Sequence, residues 1–309
     1  MKTLTIIGGN GFFGRSIIDY SIKNSLYKWK INKIICISRK KIKKEFLPKN
    51  LLKTKIVSIS ADIRSMKNLP KSDYFIYAAN SKNMNLNIKG INNFKKLILK
   101  EPKKVKILFT SSGAVYGKTK PGIKIKENHS IQLKNLNALK GYKKNYSKTK
   151  ILIEKIFLQL SKKKYNVSIA RCFTFIGKHI LEKKDYAISN FISNAIKNKK
   201  IIIKSKVNVH RSFMYCDDLV EWLLVILIKS SSKCPIYNVG SDEYLSLNKT
   251  ALIVSKIFKA KIISNISKNE DDSYLPSIDK AKKNLGLKIK IKLKKAIFLS
   301  IKNLNRNYP

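Results

Sequence analysis

Two side chains that could exchange a proton with a substrate lie one helical turn apart near the middle of the chain. Tyr146 and Lys150 fall on the same face of a predicted helix. An ammonium beside a phenol lowers the pKa of the phenol, so the phenol can exchange a proton with a hydroxyl or carbonyl oxygen near neutral pH. Ser112, at the end of an apolar stretch, predicts a second donor for the same oxygen. These three are the candidate catalytic residues, although the tyrosine–lysine spacing alone also fits an ordinary surface pair.

A glycine-rich turn near the start of the chain predicts a cofactor site. Gly8, Gly11 and Gly14 follow an apolar strand and lead into a helix that opens with Phe12 and Phe13. In such a turn the first glycine permits the sharp bend, the second lets backbone N–H groups approach a pyrophosphate, and the third lets the helix pack on the strand. A glycine turn without a ligand is the alternative. The strand before it and the helix after it favour a dinucleotide.

The residues after the second and third strands bear on which dinucleotide is bound. The segment 38–40 (Ser-Arg-Lys) has no acid that would bind ribose hydroxyls. A small residue followed by Arg39 suits a 2′-phosphate, so the sequence favours NADP over NAD. The alternative is that Arg39 stacks on adenine or faces solvent. Asp62, which is followed by Ile63, ends the next apolar strand, where an acid can accept a hydrogen bond from the adenine amino group.

Strands and helices alternate along the first half of the chain. This alternation predicts an α/β fold with a doubly wound parallel sheet and sites at the carboxyl ends of the strands. Beyond residue 172 the alternation loosens, which indicates a smaller C-terminal α/β lobe. We expect a dinucleotide-binding domain at residues 1–172 and a substrate-binding lobe at residues 173–309, with some exchange of segments. A polar loop is expected at residues 118–145, with the helix of Tyr146 opening directly after it.

Basic residues give the 309-residue chain a formal net charge of +48. Such a charge by itself suggests nucleic acid or an anionic membrane surface as a partner. The lysines, however, are spread along the whole sequence beside Asn and Ile. Surfaces that track phosphates concentrate their charge and use Arg, so we expect no nucleic-acid partner.

The distribution of cysteines and apolar runs indicates where the protein resides, and the positions of the histidines indicate whether it binds a metal. The four cysteines are scattered without a Cys-x-x-Cys pair, which suits reduced thiols. The longest apolar run, residues 222–228, is far too short to span a bilayer, and Met1-Lys2 leads directly into the first strand, which argues against a signal peptide. We therefore expect a cytoplasmic protein without membrane insertion. No metal site is expected, because the three histidines are isolated from one another.

With these motifs in order, the chain resembles the extended short-chain dehydrogenase/reductases of the NAD-dependent, nucleotide-sugar epimerase/dehydratase family, which have a Rossmann fold. The matching motifs run from the glycine turn through Ser111-Ser112, Val115-Tyr116-Gly117 and the tyrosine–lysine pair to Arg211-Ser212-Phe213 and Asn238-Val239-Gly240. The resemblance implies that Asn190 and Arg211 contact the base or diphosphate of a nucleotide sugar, though both also fit structural roles. It implies that four further residues line the cofactor: Ala78, Ala79, Asn87 and Phe173.

Departures from the family pattern narrow the reaction. Sugar dehydratases place Asp-Glu after the hydroxyl residue, and the enzymes that make fucose-type sugars place Cys there, whereas this chain has Gly113 and Ala114. What remains is oxidation or reduction at one carbon, and the resemblance implies reduction of a 4-keto nucleotide sugar by NADPH. A 4-epimerase with tightly held NAD is the alternative. A non-catalytic nucleotide- or nucleic-acid-binding protein is a distant one. Analogy with the family also suggests a homodimer.

Overall fold

The computed structural model describes residues 1–43, 54–181, 186–268 and 271–302. The strands are β1 (Lys2–Ile7), β2 (Ile31–Ser38), β3 (Lys55–Ser60), β4 (Tyr74–Tyr77), β5 (Lys106–Ser112), β6 (Asn166–Cys172), β7 (Phe175–Ile176), β8 (Lys200–Ile203), β9 (Asn208–Arg211), β10 (Met214–Tyr215), β11 (Ile236–Val239), β12 (Leu245–Ser246), β13 (Lys261–Ser264) and β14 (Asp271–Tyr274). The α-helices are α1 (Phe12–Lys23), α2 (Met84–Ile98), α3 (Leu133–Asn137), α4 (Gly141–Lys162), α5 (Lys178–Leu181), α6 (Ala187–Asn198), α7 (Cys216–Ile228), α8 (Leu247–Phe258), α9 (Asp279–Leu285) and α10 (Leu293–Lys302).

Contacts divide the chain into two compact units. The first comprises residues 1–118, 130–172 and 220–237, and the second comprises the described parts of residues 119–129, 173–219 and 238–309. Within the described ranges, no helix combines the length and the apolar character that crossing a membrane requires.

The first unit is built on a seven-stranded sheet in the order β11-β6-β5-β4-β1-β2-β3. The ladders that join β3, β2, β1, β4, β5 and β6 are all parallel. The inner strands are apolar on both faces, as in residues 34–37, because helices cover both sides of such a sheet. The strand order changes direction between β1 and β4, which places a ligand crevice at the end of β1. The predicted α/β fold with a doubly wound parallel sheet is confirmed.

An aromatic cluster holds α2 and α4 against one face of this sheet. The rings of Phe109 on β5 and Phe157 on α4 are parallel within 1°, with centroids 4.9 Å apart. Tyr77 and Phe94 complete the cluster at centroid distances of 5.0–6.2 Å. All four side chains are buried, so the cluster sets the position of α4 relative to the end of β5.

The prediction that residues 118–145 form a polar loop is wrong in part. Residues 133–137 form the short helix α3, which is anchored by the buried side chain of Leu136. Helix α4 begins at Gly141, ahead of the expected start at Tyr146. The early start carries little sequence signal, because the N-cap residue Lys140 makes no side-chain hydrogen bond and the first turn is polar.

The second unit consists of helices and three small sheets. The sheets have the strand orders β10-β7, β12-β9-β14 and β13-β8. Helices α6 and α8 contact each other and strand β8, and α10 contacts α5 and α8. The buried carboxylate of Asp218, in the first turn of α7, accepts hydrogen bonds from the backbone N–H groups of Lys290 and Ile291 at 3.1 and 3.0 Å. This contact ties the start of α7 to the segment between α9 and α10.

Truncating the central ring of the aromatic cluster should destabilise the first unit. We expect Phe157→Ala to lower the free energy of unfolding by about 3–5 kcal/mol, because the cavity would lie between α4 and β5. Urea denaturation measures the change. The neighbouring Leu158→Ala is the matched control, since Leu158 is 37% exposed and its truncation should cost about 0.5 kcal/mol or less. Equal losses for the two variants would contradict the packing described above.

Candidate active site

The glycine turn between β1 and α1 brings the backbone against the end of β4. Gly8 has φ +92°, and a Cβ atom there would lie 2.7 Å from the backbone nitrogen of Ala79. The N–H groups of Gly8 and Gly9 both donate to the carbonyl of Ile37, at 2.8 and 3.0 Å, which fixes the turn to the end of β2. The turn therefore rests on the ends of both neighbouring strands, and only glycine fits its first position.

The start of α1 has the features of an anion site. Gly11 is the N-cap residue, and no side chain caps this helix end. A Cβ at Gly14 would collide with the carbonyl of Gly9, so the glycine lets the helix pack closely on the turn. Helix N-termini that follow such turns bind phosphate through backbone N–H groups and the helix dipole. The cradle in the structure therefore fits the pyrophosphate of a dinucleotide.

Asn87 fixes the loop that follows β4. Its side-chain amide accepts from the N–H of Ser81 at 2.7 Å and donates to the carbonyl of the same residue at 2.8 Å. This double contact holds the backbone just after Ala78 and Ala79, which lie against the glycine turn. Asn87 is buried. Its two hydrogen bonds hold the loop after β4 in place, and this loop is the one that would face a cofactor.

The acid at the end of β3 has a partner that the sequence analysis did not assign. Asp62 accepts two hydrogen bonds from the Nε of Arg64, at 2.9 and 3.0 Å, and a third from the Nη2 of the same side chain. These bonds hold the pKa of the Asp62 carboxyl below its usual value. Ile63, which lies between them in the sequence, is buried, whereas Arg39, one residue after β2, is exposed.

Tyr146 and Lys150 lie one turn apart on α4, as predicted. The Lys150 Nζ lies 5.5 Å from the centroid of the Tyr146 ring and donates to the carbonyl of Thr110 at 3.1 Å. Lys150 is buried, and this burial lowers the pKa of its ammonium to about 8. On the other side, the ring of Tyr142 stacks on Tyr146 with centroids 5.8 Å apart. The phenol ring is thus flanked along the helix by an aromatic ring and an ammonium.

Ser112 ends β5 and begins a 3₁₀ turn formed by residues 113–116. Its hydroxyl oxygen accepts from the N–H of Ala114 at 3.2 Å. The hydroxyl of Ser147 on α4 donates to the carbonyl of Ala114. This bond and the bond from Lys150 to the Thr110 carbonyl hold α4 against the end of β5. Ser112 on β5 and the Tyr146–Lys150 pair on α4 therefore lie on adjoining elements of the first unit.

A buried charged pair behind these residues was missed by the sequence analysis. Glu154 on α4 forms a bidentate ion pair with Arg171 at the end of β6, and Ser111 and Tyr116 hydrogen-bond to the pair. The position of Glu154 one turn after Lys150 was the available signal. Acidic residues are rarely buried, so the sequence alone predicts that Glu154, in a lysine-rich helix, lies at the surface. Its burial is evident only from the fold.

The remaining predicted residues lie in the second unit. The Phe173 ring packs on Tyr274 at a centroid distance of 4.6 Å. The Arg211 guanidinium lies 6.0 Å from the same ring and donates to the Asp272 carboxylate at 2.9 Å. Asn190 is half-buried on α6. Tyr274 therefore connects Phe173 and Arg211.

The fold and the site together define a class of protein. A doubly wound sheet with a glycine cradle at its first helix is the architecture of dinucleotide-binding α/β proteins, and the tyrosine–lysine pair is placed beside a strand end of that sheet. The chain belongs to the NAD dependent epimerase/dehydratase family, whose model matches residues 4–240. The family suggested by the motifs is thereby confirmed.

Two relatives are similar to this chain at 24–27% identity. The bifunctional polymyxin resistance protein ArnA of Wigglesworthia glossinidia brevipalpis is 27% identical over 98% of this chain, which spans only about half (52%) of that relative. UDP-glucuronic acid decarboxylase 3 of Arabidopsis thaliana is 24% identical over 95% of this chain and 86% of its own length. The crystal structure of dTDP-glucose 4,6-dehydratase from Bacillus anthracis in complex with NAD superposes with a TM-score of 0.79 at 15% identity, covering 99% of this chain and 97% of that one. That likeness concerns the fold.

A side chain at the first glycine should disrupt the cradle. We expect Gly8→Ala to weaken binding of NADH and NADPH by at least about tenfold, or ~1.4 kcal/mol, because its Cβ displaces the backbone of Ala79. Fluorescence titration measures the affinity. Gly122→Ala is the matched control, because Gly122 also has a positive φ, +76°, but nothing lies within 4 Å of its Cβ position. If both variants bound the dinucleotides like the unsubstituted protein, the cradle would not be the binding site.

Proposed function

We propose that the protein reduces a 4-keto nucleotide sugar by hydride transfer from NADPH. Residues 1–172 would bind the dinucleotide and residues 173–309 the substrate, with residues 119–129 and 220–237 exchanged between the two units. The observation that carries the proposal is the juxtaposition of Ser112 with the Tyr146–Lys150 pair. All three are held on adjoining elements of a unit that also contains a dinucleotide cradle. A pure binding protein would have no need of this donor set.

Each residue of the set has a distinct role. Tyr146 donates its phenolic proton to the substrate oxygen as the carbonyl is reduced, and it regains the proton from solvent. The Lys150 ammonium, 5.5 Å from the ring, stabilises the phenolate that remains. Ser112, whose oxygen already accepts from Ala114, donates to the substrate oxygen and polarises it. A nicotinamide dinucleotide, when bound, supplies the hydride.

The turn after Ser112 argues against elimination of water. Removal of water from a sugar needs an acid and a base close to the oxidised carbon. Gly113 and Ala114 occupy the positions where the family's dehydratases carry carboxylates, and neither has an ionisable side chain. This supports oxidation or reduction at one carbon rather than dehydration.

A nucleotide sugar is proposed as the substrate on the strength of the relatives. Their names include a UDP-glucuronic acid decarboxylase and a dTDP-glucose 4,6-dehydratase. Asn190 and Arg211 are proposed to contact the nucleotide, although Arg211 is already paired with Asp272 and would have to share its guanidinium. We propose a cytoplasmic homodimer with no nucleic-acid partner.

The preference for NADP rests on Arg39. The exposed guanidinium at the end of β2, with no acid in residues 38–40, supports binding of a 2′-phosphate. The family, by contrast, is described as NAD dependent, and the dehydratase structure contains NAD. That observation favours a second candidate function, a 4-epimerase that holds NAD tightly and regenerates it in each turnover.

Removal of one hydroxyl tests the reaction class. We expect Tyr146→Phe to lower kcat by about 10²–10⁴-fold with the affinity for the dinucleotide unchanged, because the general acid is lost and its ring is kept. The assay follows cofactor oxidation with a panel of 4-keto nucleotide sugars, and sugar epimerisation in parallel. Tyr142→Phe is the matched control one turn earlier and should retain activity. Full activity of Tyr146→Phe would exclude both candidate reactions.

Binding of NADPH and NADH to the cofactor-stripped protein separates the two candidates. We expect NADPH to bind more tightly, and Arg39→Ala to weaken NADPH by about tenfold or more while NADH is unaffected, because a charge-assisted hydrogen bond to phosphate contributes about 1.5–3 kcal/mol. Calorimetry measures both affinities, with exposed Lys41→Ala as the control for general charge. Tightly retained NAD in the purified protein would favour the epimerase instead.

A further inference from the structure

The buried pair of Glu154 and Arg171 lies directly behind the candidate catalytic residues. Arg171 donates from Nε and Nη2 to the two carboxylate oxygens at 3.1 and 2.8 Å. The side chains are only 5% and 6% exposed. The hydroxyl of Ser111 donates to Glu154 Oε1 at 2.5 Å, and Arg171 Nη1 donates to the hydroxyl of Tyr116 at 2.9 Å. One ion pair thus contacts β5, α4, β6 and the turn after Ser112.

Stability alone does not account for this pair. Removing two charges from water costs several kcal/mol per ion, and well-packed apolar side chains of similar volume are often as stabilising. The pair therefore adds little that an apolar core could not supply. What it does provide is a fixed geometry, because a bidentate arginine–carboxylate contact tolerates little displacement of either element.

The pair holds both ends of the segment that contains Ser112. Ser111, the preceding residue, is bonded to Glu154, and Tyr116, at the end of the 3₁₀ turn, is bonded to Arg171. In the β5–β6 ladder, Ser111 lies opposite Arg171 itself. The Ser112 hydroxyl is therefore positioned from both sides by one charged pair.

Glu154 also acts on the Lys150 ammonium, one helical turn away on the same buried face of α4. Burial lowers the pKa of Lys150, and the negative charge of Glu154 opposes that effect. The Cys172 thiol on β6 also faces the ammonium, but burial raises the pKa of Cys172 to about 12, so it is neutral near pH 7. The groups that face the ammonium are Tyr146 and Glu154 on α4, the Thr110 carbonyl and the Phe109 ring on β5, and Cys172 on β6.

We propose that Glu154 is a positioning residue: through Ser111 it fixes the donor Ser112, and through its charge it keeps Lys150 as an ammonium beside Tyr146. This role rests on the proposed function, because it serves the same proton transfer.

The pH dependence follows from the sign of the Lys150 shift. The pKa of this ammonium is about 8, so the charged form is present below pH 8 and is lost as the pH rises through that value. Turnover that depends on the ammonium should therefore decline above about pH 8. Without the Glu154 charge the decline should begin at a lower pH, by about one unit.

The first experiment titrates Lys150 in the cofactor-free protein. NMR of ¹³C-labelled lysine side chains follows the resonance that is absent in Lys150→Arg. We expect Glu154→Gln, which keeps the shape and the Ser111 contact, to lower the midpoint by about one pH unit. Asp73→Asn is the matched control, because it also removes one carboxylate charge, but Asp73 pairs with Lys2 at the start of β1 rather than with Lys150. It should leave the Lys150 midpoint unchanged. A midpoint unchanged by Glu154→Gln overturns the electrostatic half of the proposal.

The second experiment measures kcat and KM between pH 6 and pH 10. We expect Glu154→Gln to lower kcat by about tenfold or more with KM unchanged, and to move the alkaline limb to lower pH. Ser111→Ala keeps the ion pair and should lower kcat by several-fold without moving the limb. If Glu154→Gln does not fold, Ser111→Ala alone decides, and unchanged kcat in that variant overturns the proposal.

The two experiments also separate this proposal from the proposed function. The NMR titration needs neither cofactor nor substrate. A shifted midpoint together with no activity of the unsubstituted protein on any keto sugar would sustain the effect of Glu154 on Lys150 and reject the assigned reaction. If the unsubstituted protein were active and Glu154→Gln left the Lys150 midpoint unchanged, the assigned reaction would stand and the effect of Glu154 on Lys150 would be rejected.

Discussion

The buried ammonium of Lys150 is the constraint on which the first unit's site depends. A charge this far from water is tolerated only where polar groups surround it, and here the Thr110 carbonyl and the nearby Glu154 carboxylate do so. The aromatic packing of Phe157 on Phe109 fixes the same helix against the same strand. A shift of α4 along β5 would break both the Phe157–Phe109 ring contact and the bond from Lys150 to Thr110. The position of the helix and the hydrogen bonding of the buried ammonium therefore depend on each other.

The second constraint is steric and acts at the glycine turn between β1 and α1. Gly8 lies so close to the end of β4 that a methyl group would displace the backbone of Ala79. Asn87 then holds Ser81, two residues after Ala79, through the oxygen and the nitrogen of its side-chain amide. The close approach of β1 and β4 at the switch point therefore creates the cradle, and the loop beyond it is held by a side chain rather than by packing alone.

The sequence-based predictions were accurate where the hydrophobic pattern of a segment was strong and wrong where the segment was mostly polar. The alternation of strands and helices was predicted correctly, because strands such as β3 and β4 are compact apolar runs bounded by polar or turn residues. The start of α4 and the existence of α3 were missed, because both lie in polar sequence that is helical through burial of Leu136 and contacts to the turn after Ser112. The partner of Asp62 was missed because Asp62 was considered only as an acceptor for a ligand, and Arg64 was assigned no role.

The sequence by itself determined the glycine turn before α1, the doubly wound sheet and the candidate donors Ser112, Tyr146 and Lys150. Glycine spacing, strand hydrophobicity and helical periodicity are local properties, and each can be recognised without knowledge of the fold. Only the tertiary structure decided that Glu154 is buried against Arg171, and that Lys150 faces the carbonyl of Thr110. Burial and charge pairing depend on which distant segments meet, and in a chain this rich in lysine no local pattern distinguishes a buried charge from a solvated one.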